Sequence, residues 1–237
     1  MPSSYFKFKQ FTIHHDQCAM KVGTDGVLLG AWAPVVDCYN VLDIGTGTGL
    51  IALQLAQRNG KAHITAIELD HNAAQQAQEN VNASPWKTRI EVIEGDFTLY
   101  NFKNQKFDLI VSNPPYFTNA LRCPSIQRNT ARHTDTLSFE NLFHYAKKIL
   151  SPDGIIALII PAEAEQTIIK AANTKQLYLH HLVRVFTKPG KACRRLLMTF
   201  KHSNEASTSE ILFIEHENHH QKTEEYIKLT QAFYLDK

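Results

Sequence analysis

Two short stretches carry residue types whose order could do chemistry. In "DLIVSNPPYFTNA", Asp108 to Ala120, a branched apolar run ends in Asn113-Pro114-Pro115-Tyr116. Consecutive prolines fix φ and remove two backbone donors, leaving a stiff loop that presents carbonyl oxygens. The Asn113 side chain adds an acceptor and Tyr116 a flat face on which a base can stack. Such a loop suits a planar amine that must donate two N–H bonds. The lone pair of an amine on a conjugated planar group is delocalised into that group, so the nitrogen attacks poorly. Accepting its two N–H bonds at the Asn113 side chain and the Pro114 carbonyl favours a pyramidal, more nucleophilic nitrogen, and catalysis is then mostly positioning and electrostatics. On the proline pair alone, a rigid turn with Tyr116 packed beneath it fits as well.

The second stretch is "NVLDIGTGTGL", with Asp43, Gly45, Gly47 and Gly49 at alternate positions. Glycines between a strand and a helix make a tight turn and let backbone approach a ligand closely. A dinucleotide fingerprint needs a third glycine where Leu50 stands, and a Walker loop needs Gly-Lys-Ser/Thr, which is absent. About 20 residues on, Glu68 ends "HITAIE", where a ribose-binding carboxylate belongs, and a further run ends in Gly95-Asp96-Phe97.

The elements that would position these residues alternate regularly. "NVLDI", "AHITAIEL", "RIEVIEGD", "FDLIVSN" and "IIALIIP" read as strands. "GLIALQLAQRN", "DHNAAQQAQENVNA" and "SFENLFHYAKKIL" read as helices, with Asp70 placed to cap the second. Strand and helix in alternation predict an α/β fold with a parallel sheet and helices on both faces. "LYLHHLVRVF" and "RRLLMTFKH", joined by "TKPGKAC", read as a strand-loop-strand return that adds an antiparallel pair at the sheet edge. "ILFIEH" is a further short run and "KTEEYIKLTQAFYL" a closing helix. No linker or repeat marks a boundary, so one domain is expected over 1–237, with 1–40 as an N-terminal cap segment and 41–237 as a Rossmann-like core.

Asp43-x-Gly45-x-Gly47-x-Gly49 resembles motif I of the class I S-adenosylmethionine-dependent methyltransferases, and Asn113-Pro114-Pro115-Tyr116 resembles motif IV of the amino-methyltransferases. The resemblance implies a mostly parallel seven-stranded sheet with an antiparallel edge strand. It implies S-adenosyl-L-methionine as cofactor: the glycine loop under its methionine part, Glu68 on the ribose, and Asp96 and Phe97 on the adenine. Asn113, Pro114, Pro115 and Tyr116 become the catalytic loop.

"FKFKQFTIHHDQCAMKVGTDGVLLGAWA", Phe6 to Ala33, and "RNTARH", Arg128 to His133, resemble the bacterial methyltransferases that make N6-methyladenine at position 37 of valine tRNA. The implied partner is the anticodon stem-loop. In "KVGTDG", Thr24 or Asp25 is placed to cap a helix whose N-terminus would face the cofactor carboxylate, with Lys21 beside it; a capped helix merely covering the sheet edge is equally compatible. Arg122, Arg128 and Arg132 follow the catalytic loop. Arg184, Lys188, Lys191, Arg194 and Arg195 crowd the late strand-loop-strand, and two basic flanks suit a folded RNA. An rRNA guanine-N2 enzyme, a protein glutamine N5-methyltransferase and an inactive RNA-binding relative are the alternatives.

Composition alone fits an ordinary globular protein: the 237 residues are 43% apolar and 20% charged, and no run approaches a membrane span. A net charge of +2 is too small to announce a nucleic-acid binder, though a balanced total can hide a one-sided distribution. "MPSSYFKFKQF" lacks a continuous apolar leader, so a cytoplasmic protein is expected. Cys18, Cys38, Cys123 and Cys193 form no Cys-x-x-Cys pair, and adjacent histidines such as His14-His15 point different ways; no metal site is expected.

Overall fold

The computed structural model describes residues 4–18, 21–114, 137–217 and 221–236. Tyr5–Lys7 (β1) and Thr12–His14 (β2) pair as a small antiparallel hairpin ahead of helix Thr24–Trp32 (α1). The alternating region follows as Asn40–Ile44 (β3), Leu50–Arg58 (α2), His63–Glu68 (β4), His71–Asn82 (α3), Ile90–Glu94 (β5) and Phe107–Ser112 (β6). Beyond it come Phe139–Ile149 (α4), Leu150–Pro161 (β7), Glu165–Thr174 (α5), Tyr178–Phe186 (β8), Arg195–Lys201 (β9), Thr208–Phe213 (β10) and Glu224–Thr230 (α6).

Eight strands form the main sheet, in the order β10-β8-β9-β7-β6-β3-β4-β5. Pairing is parallel from β7 through β6, β3 and β4 to β5. The order reverses between β3 and β6, which puts a crevice beside the carboxyl ends of those two strands. Central strands are apolar on both faces because helices cover both. Val41, Leu109 and Val111 pack with Val27, Leu28 and Leu53, whereas Leu42, Ile110 and Ile156 pack with Leu142, Phe143 and Ile168.

Two details of the expected sheet are corrected. It has eight strands rather than seven, because the short run after Glu205 pairs as β10, parallel to β8. The antiparallel strand is also not at the edge: β9 lies between β7 and β8 and is antiparallel to both. Its LLMTF run is buried throughout, which requires neighbours on both sides, whereas β10 is mostly exposed and suits an edge.

Local signals explain the helix ends. Asp70 Oδ1 accepts the Ala73 N–H at 2.9 Å to start α3, and Ser138 and Thr223 cap α4 and α6 in the same way. Thr24 and Asp25, in contrast, do not cap α1: Gly23 holds the cap position without a side-chain bond, and both residues sit in the first turn. Gly154 has a packing reason, since a Cβ there would lie 2.9 Å from the Phe107 carbonyl oxygen where β6 and β7 shift register.

Candidate active site

The site lies where four strand ends are tied together. The Ile67 carbonyl at the end of β4 accepts the N–H groups of Gly45 (2.9 Å) and Thr46 (3.2 Å). The next carbonyl, of Glu68, accepts the Gly95 N–H at 2.8 Å. At the end of β6, the buried Ser112 hydroxyl donates to the Ile44 carbonyl at 2.8 Å. The glycine loop, Glu68, the Gly95-Asp96 turn and Asn113 are thus brought to one edge by short bonds from adjacent residues.

The loop itself needs its glycines. Gly45, Gly47 and Gly49 have φ of 69°, 57° and 81°, the left-handed region that L side chains rarely adopt. A Cβ at Gly45 or Gly47 would meet nothing within 4 Å, so the loop lies bare to the space above it. Beneath it, Asp43 is fully buried and its Oδ2 accepts the Thr46 hydroxyl at 2.6 Å. Burial pushes its carboxyl up to about 7, against the lowering effect of the Thr46 bond and the Ala52 N–H; Glu68 adds a smaller upward push. Full burial makes Asp43 a brace for the loop rather than a surface that a ligand touches.

Glu68 is held from both sides. Oε2 accepts the Gly47 N–H at 2.8 Å, and Oε1 accepts Leu69 N–H (2.9 Å) and Asp70 N–H (3.0 Å). Asp96 Oδ1 takes the N–H and the hydroxyl of Thr98, both at 2.7 Å, which leaves Oδ2 for another donor. Phe97 is buried, its ring near Phe102 and Tyr145. Asn113 is half-buried and Pro114 buried. Pro115, Tyr116, Arg122, Arg128 and Arg132 lie outside the described residues.

The second basic flank is divided by its partners. Arg184 makes a two-pronged bond to Glu165, at 2.8 and 2.7 Å, and that hydrogen bonding raises its pKa. Arg195 Nε donates to Asp25 Oδ2 at 2.6 Å. Two guanidinium groups expected to meet phosphates therefore hold protein carboxylates, and Asp25, expected near the cofactor, anchors α1 to the start of β9. Lys188, Lys191 and Arg194 form no ion pair among the described residues, and Lys21 is exposed ahead of α1.

Three positioning residues went unmarked by the sequence motifs. Ser112 and Thr46 are two of them, through their bonds to Ile44 and Asp43. The third, Asn80, is fully buried on α3. It donates to the carbonyls of His14 and Thr48 and accepts the His14 N–H, all at 2.9 Å, so it couples the N-terminal hairpin to the glycine loop. A polar residue one step before Val81 on the buried side of a helix is the one signal that marks it. Among the described residues, no three His, Cys, Asp or Glu side chains gather as a metal site, and no helix is long and apolar enough to cross a membrane.

Comparison with known proteins fits this geometry. Residues 26–177 match the family model described as the methyltransferase small domain. A protein of Bacteroides fragilis named tRNA1(Val) (adenine(37)-N6)-methyltransferase is 52% identical over 99% of both chains. The crystal structure described as a predicted O-methyltransferase from Agrobacterium tumefaciens superposes with a TM-score of 0.70 at 24% identity, covering 88% of this chain and 96% of that one. A glycopeptide N-methyltransferase solved with S-adenosylmethionine superposes at 0.56 with 12% identity, over 77% and 100% of the two chains. At these identities the two structures speak for the fold alone.

Proposed function

Because the chain belongs to the tRNA1(Val) (adenine(37)-N6)-methyltransferase family, we propose that it transfers a methyl group from S-adenosyl-L-methionine to the N6 amine of adenine 37 in valine tRNA, in the cytoplasm. The observation that carries the reading is the Ser112–Ile44 bond, which sets Asn113 beside a glycine loop whose upper side is bare.

The residues fit the cofactor. When bound, it supplies a methyl group on a sulfonium, an electrophile that needs no metal. Bare glycine backbone at Gly45 and Gly47 lets the ligand lie close, and Glu68, fixed by three backbone N–H groups, offers its remaining lone pairs to ribose hydroxyls. Asp96 Oδ2, outside both Thr98 bonds, would accept from the adenine amino group. Lys21 and the start of α1 would face the carboxylate end, although Asp25 there is taken by Arg195.

For the substrate, Asn113 Oδ1 and the Pro114 carbonyl accept the two N–H bonds of the target amine, and Tyr116 stacks on the base. With both N–H bonds held, the nitrogen lone pair would be left free to accept the methyl group that the bound cofactor would supply. The methylated nitrogen becomes acidic and releases its extra proton to water, so no separate base is needed before transfer. Lys188, Lys191 and Arg194, with Arg122, Arg128 and Arg132, provide cationic flanks for the anticodon stem-loop.

The test is to incubate the purified protein with labelled S-adenosylmethionine and total tRNA from a strain lacking it, then map the modified nucleoside. N6-methyladenine at position 37 of valine tRNA is expected. Label at N2 of guanine, or only on protein, overturns the assignment.

A further inference from the structure

A second basic surface lies away from the proposed site, at the opposite edge of the sheet. Lys106 stands immediately before β6, Lys147 and Lys148 in the last turn of α4, Lys175 just past α5, and Lys201 at the end of β9. Because β9 runs antiparallel to β7 and β8, its last residue falls at the edge where those strands begin. Lys103, in the loop before β6, completes the group.

These side chains form one connected face. Lys106 Nζ donates to the Lys148 carbonyl at 2.6 Å, Lys147 Nζ to Gln176 Oε1 at 2.9 Å, and the Lys148 ammonium sits 4.7 Å from the centre of the Tyr145 ring. Three histidines fill the gaps. Besides desolvation, the nearby charges that lower the pKa of His202 are Lys147 and Lys106, and those acting on His144 are Lys148 and Lys175. His180 is lowered by desolvation and Lys201, with Glu205 acting the other way. Asp37, Asp108 and Asp153 collect around a separate cavity with Pro34 and Ser151. Between Lys103, Lys106 and Lys148, a groove of about 250 Å³ is lined by Tyr100, Phe102 and Tyr145 and extends to Phe97, where this face adjoins the residue expected beside the adenine.

Among the described residues, none of these lysines forms an ion pair with a carboxylate, and like charges held this close repel one another. A polyanion with regularly spaced charges would relieve that repulsion, and aromatic rings among the ammonium groups suit a nucleic acid. Reach supports the match. The six residues of β6 span about 20 Å, so Lys106 and Asn113 mark the two ends of a path that a folded RNA covers easily. We propose that the lysine face at the amino ends of β6 to β8 docks the phosphate backbone of the tRNA body while the anticodon loop lies at the carboxyl end of β6. The proposal rests on the tRNA reading of the active site and adds where the rest of that molecule is held.

The experiment compares wild type with the triple variant Lys103→Gln/Lys106→Gln/Lys148→Gln, and with the same three residues changed to Arg. Full-length tRNA binding is measured across a salt series, S-adenosylmethionine binding by calorimetry, and methylation on both full tRNA and a short anticodon-loop oligonucleotide. The Gln variant should bind full tRNA about tenfold more weakly. Its slope of log affinity against log salt should be shallower by about 0.7 to 0.9 for each phosphate that the protein no longer neutralises. Cofactor affinity and the rate on the short oligonucleotide should be unchanged, and the Arg variant should behave as wild type.

Equal tRNA affinity and salt slope in the Gln variant overturn the docking face alone, provided wild type still methylates adenine 37. Weakened binding to anionic vesicles but not to tRNA overturns it as well. Wild type that binds no tRNA overturns both readings. Wild type that binds tRNA through these lysines yet methylates another base upholds the face and overturns the target.

Discussion

The two flanks of the proposed site are built from different interactions. On the β3–β4–β5 side, the loop and its acids are joined by backbone hydrogen bonds among strand ends, within residues 43 to 98. On the β8–β9 side, charged side chains from remote parts of the chain meet: Asp25 and Arg195 are 170 residues apart. The first half is stiff before any ligand arrives, as preorganised catalysis requires. Electrostatic partners on the second half can exchange when a polyanion approaches.

If the rigid half and Asn113 do the chemistry, the largest effect follows from removing the acceptor itself. Asn113→Ala should lower kcat by about 10²- to 10³-fold while cofactor affinity stays within a factor of two or three. Single-turnover rates and calorimetry on the same protein separate the two. Equal loss of both would mean that Asn113 holds the loop together instead of touching the substrate.

A smaller but still sharp effect should come from the loop. Gly47→Ala places a methyl group in the bare space above the backbone, at a φ of 57° that costs an L residue about 1–2 kcal/mol. A fall of a few degrees in Tm is expected, with cofactor affinity reduced about tenfold or more. Loss of stability without loss of affinity would show that the ligand does not lie over the loop.

Asp43 tests the same half by pH. Its folded-state pKa, about 7, lies above the ordinary value of 3.8, so the folded protein keeps a proton that the unfolded chain has released across that window. The stability it contributes is full below about pH 4 and is lost as pH rises towards and through 7. Asp43→Asn should therefore flatten the decline in Tm between pH 4 and 7, and gain on wild type as pH rises. A parallel pair of curves would mean that the carboxyl is ionised throughout.

Much of the first half was legible in the sequence because its partners are close along the chain and the glycines, the strand-end acids and Asp70 have fixed spacing. The parallel core was legible too, since "NVLDI" and "FDLIVSN" are apolar on both faces. Other features depended on long-range assembly. No local pattern shows that "RRLLMTFKH" inserts between two strands, or that Asp25 turns from the helix cap to Arg195. The Arg184–Glu165 pair is similarly hidden, because a cationic cluster in sequence says nothing about carboxylates that arrive from another element. Asn80 looks like any polar helix residue until the hairpin is folded against it.

That contrast yields the smallest effects. Arg184 and Arg195 are committed to carboxylates, whereas Lys188, Lys191 and Arg194 have no ion pair among the described residues. Alanine at each of the latter three should weaken tRNA binding about threefold and lower the salt slope, whereas Arg184→Ala and Arg195→Ala should leave tRNA affinity within about twofold. Their cost should fall on the fold instead. Both members of the Asp25–Arg195 pair remain partly open to solvent, 26% and 33% exposed, so screening limits the coupling to about 0.5 kcal/mol. A double-mutant cycle on Tm with Asp25→Asn and Arg195→Gln measures it, and the coupling should shrink at high salt. Should tRNA lower the measured coupling, the pair opens on binding and Arg195 rejoins the residues that meet phosphates; an unchanged coupling keeps it as an anchor between α1 and β9.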